Sequence, residues 1–234
     1  MLYTVLIAAS PKLSLLHQNA LAHCHKLIEN GNLVKQVFFM HAATKMAVHP
    51  DAKRWSEFAA KYQVELQTCI STAEQQQLNV QAFMPGFLQD GLSSLADSIL
   101  SSDIVLQIHD EALQIAILPV KDKKNVTFVF RNPPEEASFA AEGVDLLLVL
   151  SAFDANVNVV FVAQGIQNLY DKGLHPRYVK RFKALPDFDV SECFIVAENE
   201  QTFFEAKQGS SLACNWLTQA AFNQLTKQSH TLFF

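Results

Sequence analysis

Thr4-Val5-Leu6-Ile7-Ala8-Ala9-Ser10 opens the chain as an apolar strand that runs into a polar turn. Val126-Thr127-Phe128-Val129-Phe130-Arg131-Asn132-Pro133 reopens the same pattern roughly 125 residues later, a period of one small domain. Solenoid repeats have much shorter periods, of ~20 to 50 residues. The repetition therefore predicts two similar folds in tandem.

Further apolar strands of the first half also have counterparts in the second. The pairs are Val37–Met40 with Val159–Val162, Leu66–Cys69 with Cys193–Val196, and Ile104–Ile108 with His230–Phe234. These segments are β-branched and aromatic with almost no alternation, which is typical of a parallel sheet covered by helices on both faces. The sequence predicts an α/β fold with two tandem flavodoxin-like or related doubly wound domains.

Helices are predicted between the strands. Leu15 to Glu29 places six residues on one apolar stripe, and Asn30-Gly31 follows as a stop signal; the stripe consists of Leu16, Ala20, Leu21, Cys24, Leu27 and Ile28. The matching helix of the second half runs from about Ala137 to Leu150. The basic stretch Arg177 to Lys183 is interpreted as an amphipathic helix, with Val179, Phe182 and Leu185 facing inward; a docking patch for an acidic partner is the alternative.

The predicted domain boundaries follow from these elements. Residues 1–108 form the first domain, 109–124 a linker and 125–234 the second domain. The linker has a breaker at Pro119 and a charged end at Lys121-Asp122-Lys123-Lys124. Its apolar segment Ile115 to Leu118 is too short for independent structure, and we expect it to dock on one of the domains.

Composition limits the function. The chain is 50% hydrophobic with 18 phenylalanines, so we expect an oligomer that buries apolar surface. A net charge of −5 argues against direct binding of nucleic acid.

No apolar run reaches the ~18 residues of a membrane span, and the start of the chain lacks the basic region of a signal peptide, so a cytoplasmic protein is predicted. Glycine-rich nucleotide motifs are absent, and we expect no cofactor.

Cys69 is the main candidate for chemistry. It ends a predicted strand, and reactive groups of open parallel sheets collect at the carboxyl ends of strands. Ser71-Thr72-Ala73-Glu74 follows as a capping-box pattern, and a helix starting there would favour the thiolate. The polar stretch Gln75 to Asn79 is expected to leave the sulfur reachable. An ordinary buried strand cysteine is the alternative.

His41, which ends the second strand, is a candidate base or hydrogen-bond partner for Cys69, with a solvent-exposed turn histidine as the alternative.

The other cysteines are predicted to fill the core as free thiols, because their spacing indicates neither a disulfide framework nor a zinc site. Cys24 lies on the apolar stripe of the first helix, Cys193 begins a strand, and Cys214 is predicted to precede Trp216 in a helix. His23 and His25 flank Cys24, but residues two apart on a helix point away from each other. We therefore expect no metal site.

Residues of both halves resemble the DsrE family of bacterial sulfur-relay proteins. In the first half, Cys69, the segment Gly86 to Asp97 and the segment Ser102 to Ile108 resemble TusD-type subunits. In the second half, five segments resemble TusC-type subunits; these are Ala140 to Asp145, Ser151 to Phe153, Val159 to Val162, Ala163 to Ile166, and Phe233-Phe234. The chain is thus similar to a tandem fusion of two subunits of one complex.

The resemblance implies a parallel-sheet α/β fold and a persulfide carried on Cys69 during formation of 2-thiouridine in tRNA. It implies small sulfur carriers of TusA and TusE type as partners and leaves open a TusB-like third subunit. Val196 and Ala163 stand where the second half would match Cys69 and His41, so residues 125–234 are interpreted as a scaffold. A DsrE-type carrier in sulfur oxidation, and an assembly subunit with a buried Cys69, are the alternative functions; a cysteine hydrolase is disfavoured because no triad pattern emerges.

Overall fold

The computed structural model describes residues 1–109, 112–115, 119–133, 139–170, 176–190, 192–208, 210 and 212–234. The chain forms two compact units, unit 1 at Met1–Pro119 and unit 2 at Val120–Phe234. Each unit has its own mainly parallel sheet with helices packed against it. The prediction of two tandem α/β domains is confirmed.

Among its described residues, unit 1 contains six strands and four α-helices. They are β1 (Leu2–Ile7), α1 (Ser14–Glu29), β2 (Leu33–Phe39), α2 (Ala52–Tyr62), β3 (Glu65–Cys69), α3 (Ile70–Gln75), β4 (Phe87–Asp90), α4 (Leu92–Ser101), β5 (Ile104–His109) and β6 (Ala112–Ile115), with 3-10 segments at His41–Val48 and Val80–Ala82. The strand order is β4-β3-β2-β1-β5-β6, and only β6 is antiparallel to its neighbour. The strands β2, β3 and β4 therefore follow one another on one side of β1, and β5 and β6 lie on its other side.

The core of unit 1 explains the predicted stripe of α1. Ala20 and Cys24 are fully buried, and the four other members of the stripe pack against the core at partial exposure. The rings of Phe39 and Trp55 meet edge to face at 5.4 Å between sheet and α2. The helix stops where Gly31 adopts a φ of 77°, a left-handed conformation that glycine takes without steric cost.

Unit 2 contains five strands and four α-helices among its described residues. They are β7 (Asn125–Phe130), α5 (Phe139–Ala152), β8 (Asn156–Phe161), α6 (Pro176–Lys183), β9 (Glu192–Val196), α7 (Glu200–Gln208), β10 (Asn215–Leu217), α8 (Gln219–Gln228) and β11 (His230–Phe233), with 3-10 segments at Ala163–Leu169 and Leu185–Phe188. The order β10-β9-β8-β7-β11 repeats the order of the first five strands of unit 1. The internal duplication predicted from sequence is therefore present at the level of topology.

Phenylalanines form much of the core of unit 2. Phe130 stacks on Phe161 at 5.6 Å and contacts Phe182 edge to face at 5.4 Å. Phe234 lies 4.7 Å from Phe139 and 5.5 Å from Phe128, measured between ring centroids. Such aromatic pairs contribute roughly 0.5 to 1.5 kcal/mol each beyond their burial. Part of the abundance of phenylalanine is thus explained by this core.

Three elements differ from the sequence predictions. The strands β4 and β10 were not predicted, and the segment at Asn215–Leu217 is a strand rather than the predicted helix. Residues assigned to the linker form β6, which pairs with β5 through Ile115 opposite Leu106. Ile115, the first residue of the apolar segment, is thus paired with a strand of unit 1. The other residues of that segment, 116–118, lie outside the described residues. The first residue predicted for α5, Ala137, also lies outside them.

The basic stretch is helical, as predicted. Phe182 and Leu185 are each 1% exposed, which confirms the inward face, and Val179 is half-buried. Arg181 is paired with Asp145 of α5, with 3.1 Å between Nε and Oδ1. Among the residues that the structure describes, no helix is both long and apolar enough to span a membrane.

Candidate functional site

Cys69 lies at the carboxyl edge of the sheet of unit 1. It is the last residue of β3, where its register partner on β4 is Asp90. On the other side, Thr68 is paired with Phe39 of β2, so the segment that begins at His41 leaves the sheet beside the end of β3. Parallel strands end at a common edge, which brings the two sequence-predicted residues into the same part of unit 1.

The helix after Cys69 begins earlier than predicted. α3 starts at Ile70, so Cys69 occupies the position before its first turn and Ser71 lies inside that turn. The capping-box prediction for Ser71 to Glu74 is therefore wrong. Ser71 instead places its Oγ 3.2 Å from Sγ of Cys69. A hydroxyl at this distance can donate a hydrogen bond to a thiolate, a contact that the sequence analysis missed.

The sulfur is less accessible than the sequence suggested. Cys69 is only 2% exposed, whereas the following residues Ile70 and Ser71 are exposed. α3 packs against β3, β4 and the 3-10 segment His41–Val48, and its inward residues Thr72 and Ala73 are buried. The expectation that the polar stretch Gln75 to Asn79 leaves Cys69 open is wrong, because the helix turns back at once onto the sheet.

His41 adopts a φ of 52°, a left-handed conformation that is uncommon outside glycine. Its carbonyl oxygen accepts a hydrogen bond from Nε2 of Gln76 at 3.0 Å, so the main chain of the His41 turn is tied to the end of α3. The second amide atom of Gln76, Oε1, is buried without a hydrogen-bond partner. Nothing in the sequence distinguished Gln76 from its neighbouring glutamines. The role of the His41 imidazole toward Cys69 stays a prediction.

The positions of unit 2 that match Cys69 and His41 hold apolar residues. Val196 ends β9 as Cys69 ends β3, and Ala163 has a φ of 49° that matches the left-handed turn at His41. The carbonyl of the next residue, Ala197, accepts a hydrogen bond from Nε1 of Trp216 at 3.0 Å. Val196 and Ala163 thus occupy the positions that the sequence comparison of the two halves gave them. The third strand of unit 2, β9, ends in a valine and not in a thiol.

The remaining cysteines differ in their surroundings. Cys24 is fully buried, and this burial raises the pKa of its thiol to about 12. Cys193 lies in β9 at partial exposure, and Cys214 is buried just before β10. All four cysteines are free, as predicted. Among the described residues, no three potential metal ligands converge on one point.

A prediction follows for Cys24. Because only the thiolate is nucleophilic and its pKa is near 12, we expect Cys24 to stay unmodified when the folded protein is incubated with iodoacetamide at pH 8. Mass spectrometry of the tryptic peptide Leu13 to Lys26 measures the labelling. The same peptide from protein unfolded in guanidinium serves as the control and should be fully labelled. Rapid labelling in the native state would contradict the tight burial of α1.

Comparison with known proteins identifies a family match and a relative for unit 2. Residues 124–233 match the family described as DsrE/DsrF-like. The chain is also 36% identical over 81 residues to Protein TusC of Buchnera aphidicola subsp. Baizongia pistaciae (strain Bp), a match that covers 32% of this chain and 68% of the relative. The matched family range contains all of β7 to β11. The chain therefore belongs to the DsrE/DsrF-like family.

Proposed function

We propose that this chain is a sulfur-relay protein in which Cys69 of unit 1 carries a persulfide, in the pathway that forms 2-thiouridine in tRNA. The observation that carries the proposal is the similarity of unit 2 to TusC. Unit 1 repeats the strand order of unit 2 and ends its third strand with a cysteine. The proposed division is a TusD-like carrier domain at 1–108, a linker at 109–124 and a TusC-like scaffold at 125–234.

The proposed chemistry is two successive exchange steps. The thiolate of Cys69 attacks the outer sulfur of a donor persulfide; the donor S–S bond breaks, the donor leaves as a thiolate, and Cys69 becomes a persulfide. An acceptor thiolate then attacks the outer sulfur, and Cys69 leaves as a thiolate. One sulfur atom moves with no net oxidation, as in thiol–disulfide exchange.

The contacts of Cys69 fit this chemistry. The Ser71 hydroxyl 3.2 Å away can stabilise the negative sulfur before attack and again when Cys69 is the leaving group. His41 is proposed as a base or hydrogen-bond partner on the adjoining turn. The tie between Gln76 and the His41 carbonyl holds this turn against α3. The site thus combines one nucleophile with short-range polar support.

Access to Cys69 requires movement of α3. The residue is 2% exposed, and a donor persulfide must approach its sulfur to within bonding distance. α3 is only six residues long, and its first residue Ile70 is exposed. We propose that a docking sulfur carrier of TusA or TusE type contacts this segment and displaces it. A TusB-like subunit, an oligomeric assembly and a cytoplasmic location complete the proposal.

The burial of Cys69 favours one second candidate, a non-catalytic assembly subunit. In that function Cys69 is an ordinary packing residue, since cysteine is among the most buried residue types. The two candidates differ in whether sulfur ever bonds to the chain. A carrier passes through a covalent state, whereas an assembly subunit does not.

Transfer of radiolabelled sulfur separates the candidates. A TusA-type protein carrying a labelled persulfide is mixed with this chain, and a TusE-type acceptor is added later. We expect label on the chain first and on the acceptor afterwards, with both signals removed by dithiothreitol. Label that reaches the acceptor without labelling the chain, or that stays on the donor, would favour the assembly function.

Ser71 supplies a graded prediction. We expect Ser71→Ala to slow sulfur acceptance about fivefold, since a hydrogen bond of this kind contributes about 1 kcal/mol. Ser71→Thr keeps the hydroxyl and should restore most of the rate. Ser93→Ala, at an exposed serine in the first turn of α4, is the matched control and should leave the rate unchanged. Equal rates for wild type and Ser71→Ala in stopped-flow transfer would remove Ser71 from the mechanism.

A further inference from the structure

Two cysteines of unit 2 lie side by side on neighbouring strands. Cys193 belongs to β9, and Cys214 directly precedes β10. The two strands are parallel, and their first register pair is Asn215 with Phe194, so the two cysteines stand one residue before that pair. Their thiols are hydrogen-bonded to each other. This contact is remote in sequence and is not used by the proposed relay.

The two thiols of the pair differ in acidity. The hydrogen bond to Cys214 raises the pKa of Cys193, whereas the hydrogen bond from Cys193 lowers the pKa of Cys214, aided by the nearby positive charge of Lys207. Cys214 is 2% exposed, while Cys193 is half-buried and reaches solvent. Cys214 is thus the more acidic sulfur of the pair, and Cys193 is the more exposed one.

We propose that Cys193 and Cys214 form a dithiol site that a hydroperoxide converts into a reversible disulfide. The Cys214 thiol releases its proton and its sulfur attacks a peroxide oxygen; the O–O bond breaks, leaving a sulfenic acid and a hydroxide that takes up the released proton as water. The Cys193 thiol then attacks the Cys214 sulfur; the new S–S bond displaces hydroxide, which takes up the thiol proton as a second water. Two thiols lose two electrons, and the peroxide is reduced to two waters.

The geometry of the strands permits this bond. Neighbouring strands lie ~4.8 Å apart, within the ~4.4 to 6.8 Å that disulfides span between Cα atoms. β10 is the edge strand of its sheet and is three residues long, so it can shift to admit a small peroxide to Cys214 and to bring the sulfurs together. Cys24 lacks these conditions because it is fully buried on the inner face of α1. The hydrogen-bond partner of Cys69 is a serine hydroxyl, not a thiol.

Peptide mapping tests the site directly. The reduced protein is treated with hydrogen peroxide, quenched with N-ethylmaleimide and digested with trypsin without reductant. Cleavage after Lys183, Lys207 and Lys227 puts Cys193 and Cys214 on separate peptides, and Cys24 and Cys69 lie on two others. We expect a linked peptide pair carrying Cys193 and Cys214, two hydrogens lighter than the sum of its thiol forms and separated by dithiothreitol.

Single variants assign the roles. In Cys193→Ser, Cys214 should accumulate as a sulfenic acid that dimedone traps, because the resolving thiol is gone; in Cys214→Ser, no cross-link should form. Cys69→Ser should keep the cross-link and thereby separates this site from the proposed relay. Circular dichroism confirms folding of each variant. Further oxidation of Cys214 without cross-linking in the wild type, or a link that forms only in guanidinium, would overturn the proposal.

Discussion

Cys69→Ser is expected to abolish acceptance of sulfur from a TusA-type persulfide. Serine is nearly isosteric with cysteine, and its hydroxyl is a poor nucleophile at neutral pH without an activating base. It also cannot hold a sulfane sulfur. The variant should therefore fold normally, with an unchanged circular dichroism spectrum and melting temperature, while intact-mass analysis detects no added sulfur.

A matched control uses another free cysteine. Cys193→Ser removes a thiol that is more exposed than Cys69 and lies in the other unit. It should load sulfur like the wild type if the proposed carrier is Cys69. Retained loading in Cys69→Ser, or loss of loading in Cys193→Ser, would place the reactive sulfur elsewhere in the chain.

Gly165→Ala is expected to destabilise unit 2 strongly. A Cβ atom on Gly165 would lie 1.9 Å from the carbonyl oxygen of Phe130 and 2.6 Å from the amide nitrogen of Arg131. Both are backbone atoms at the end of β7, so no side-chain rotation relieves the overlap. Overpacking typically costs about 1 to 3 kcal/mol, and overlap with backbone belongs at or above the upper end. We expect a loss of about 3 kcal/mol or more in the free energy of unfolding.

Urea denaturation followed by fluorescence of Trp216 in unit 2 and Trp55 in unit 1 measures this effect. Gly91→Ala is the control, because its Cβ would meet only Oγ of Ser93 at 3.5 Å and the amide of Ser93 at 3.9 Å, both ordinary contacts. Its stability should change by less than about 1 kcal/mol. A wild-type transition midpoint in Gly165→Ala would contradict the close approach of the Ala163–Leu169 segment to β7.

The long buried elements were predictable from sequence. The strands at Thr4, Val37, Ile104 and Val126 are mostly apolar and do not alternate, which is typical of parallel strands covered on both faces. Their repetition in the same order predicted the duplication before any contact was known. The two halves also agree in a single backbone angle, because His41 and Ala163 stand at matching positions and both have a left-handed φ.

The short edge elements were not predictable in this way. β4 and β10 have four and three residues and carry the exposed side chains Leu88 and Trp216, so their sequences lack a buried run. They are strands because a neighbouring strand offers them hydrogen bonds, which is a tertiary effect that overrides local preference. The error at Trp216 hid the proximity of Cys193 and Cys214.

The candidate site was predictable in position but not in environment. The end of β3 identified Cys69, whereas its burial and its contact with Ser71 depend on where α3 begins. One S-x-x-E pattern suggested a start after Ser71, but the helix begins at Ile70. Burial of Cys69 therefore results from packing of α3 on the sheet, which a one-dimensional pattern does not encode.

The most direct test of the account is the location of sulfur on the loaded protein. The chain is incubated with a cysteine desulfurase, L-cysteine and a TusA-type carrier, then alkylated and digested with trypsin. The account predicts one extra, dithiothreitol-labile sulfur on the peptide Tyr62 to Lys121, which contains Cys69 as its single cysteine. A protein that stays unloaded, or that carries its extra sulfur on a peptide containing Cys24, Cys193 or Cys214, would contradict it.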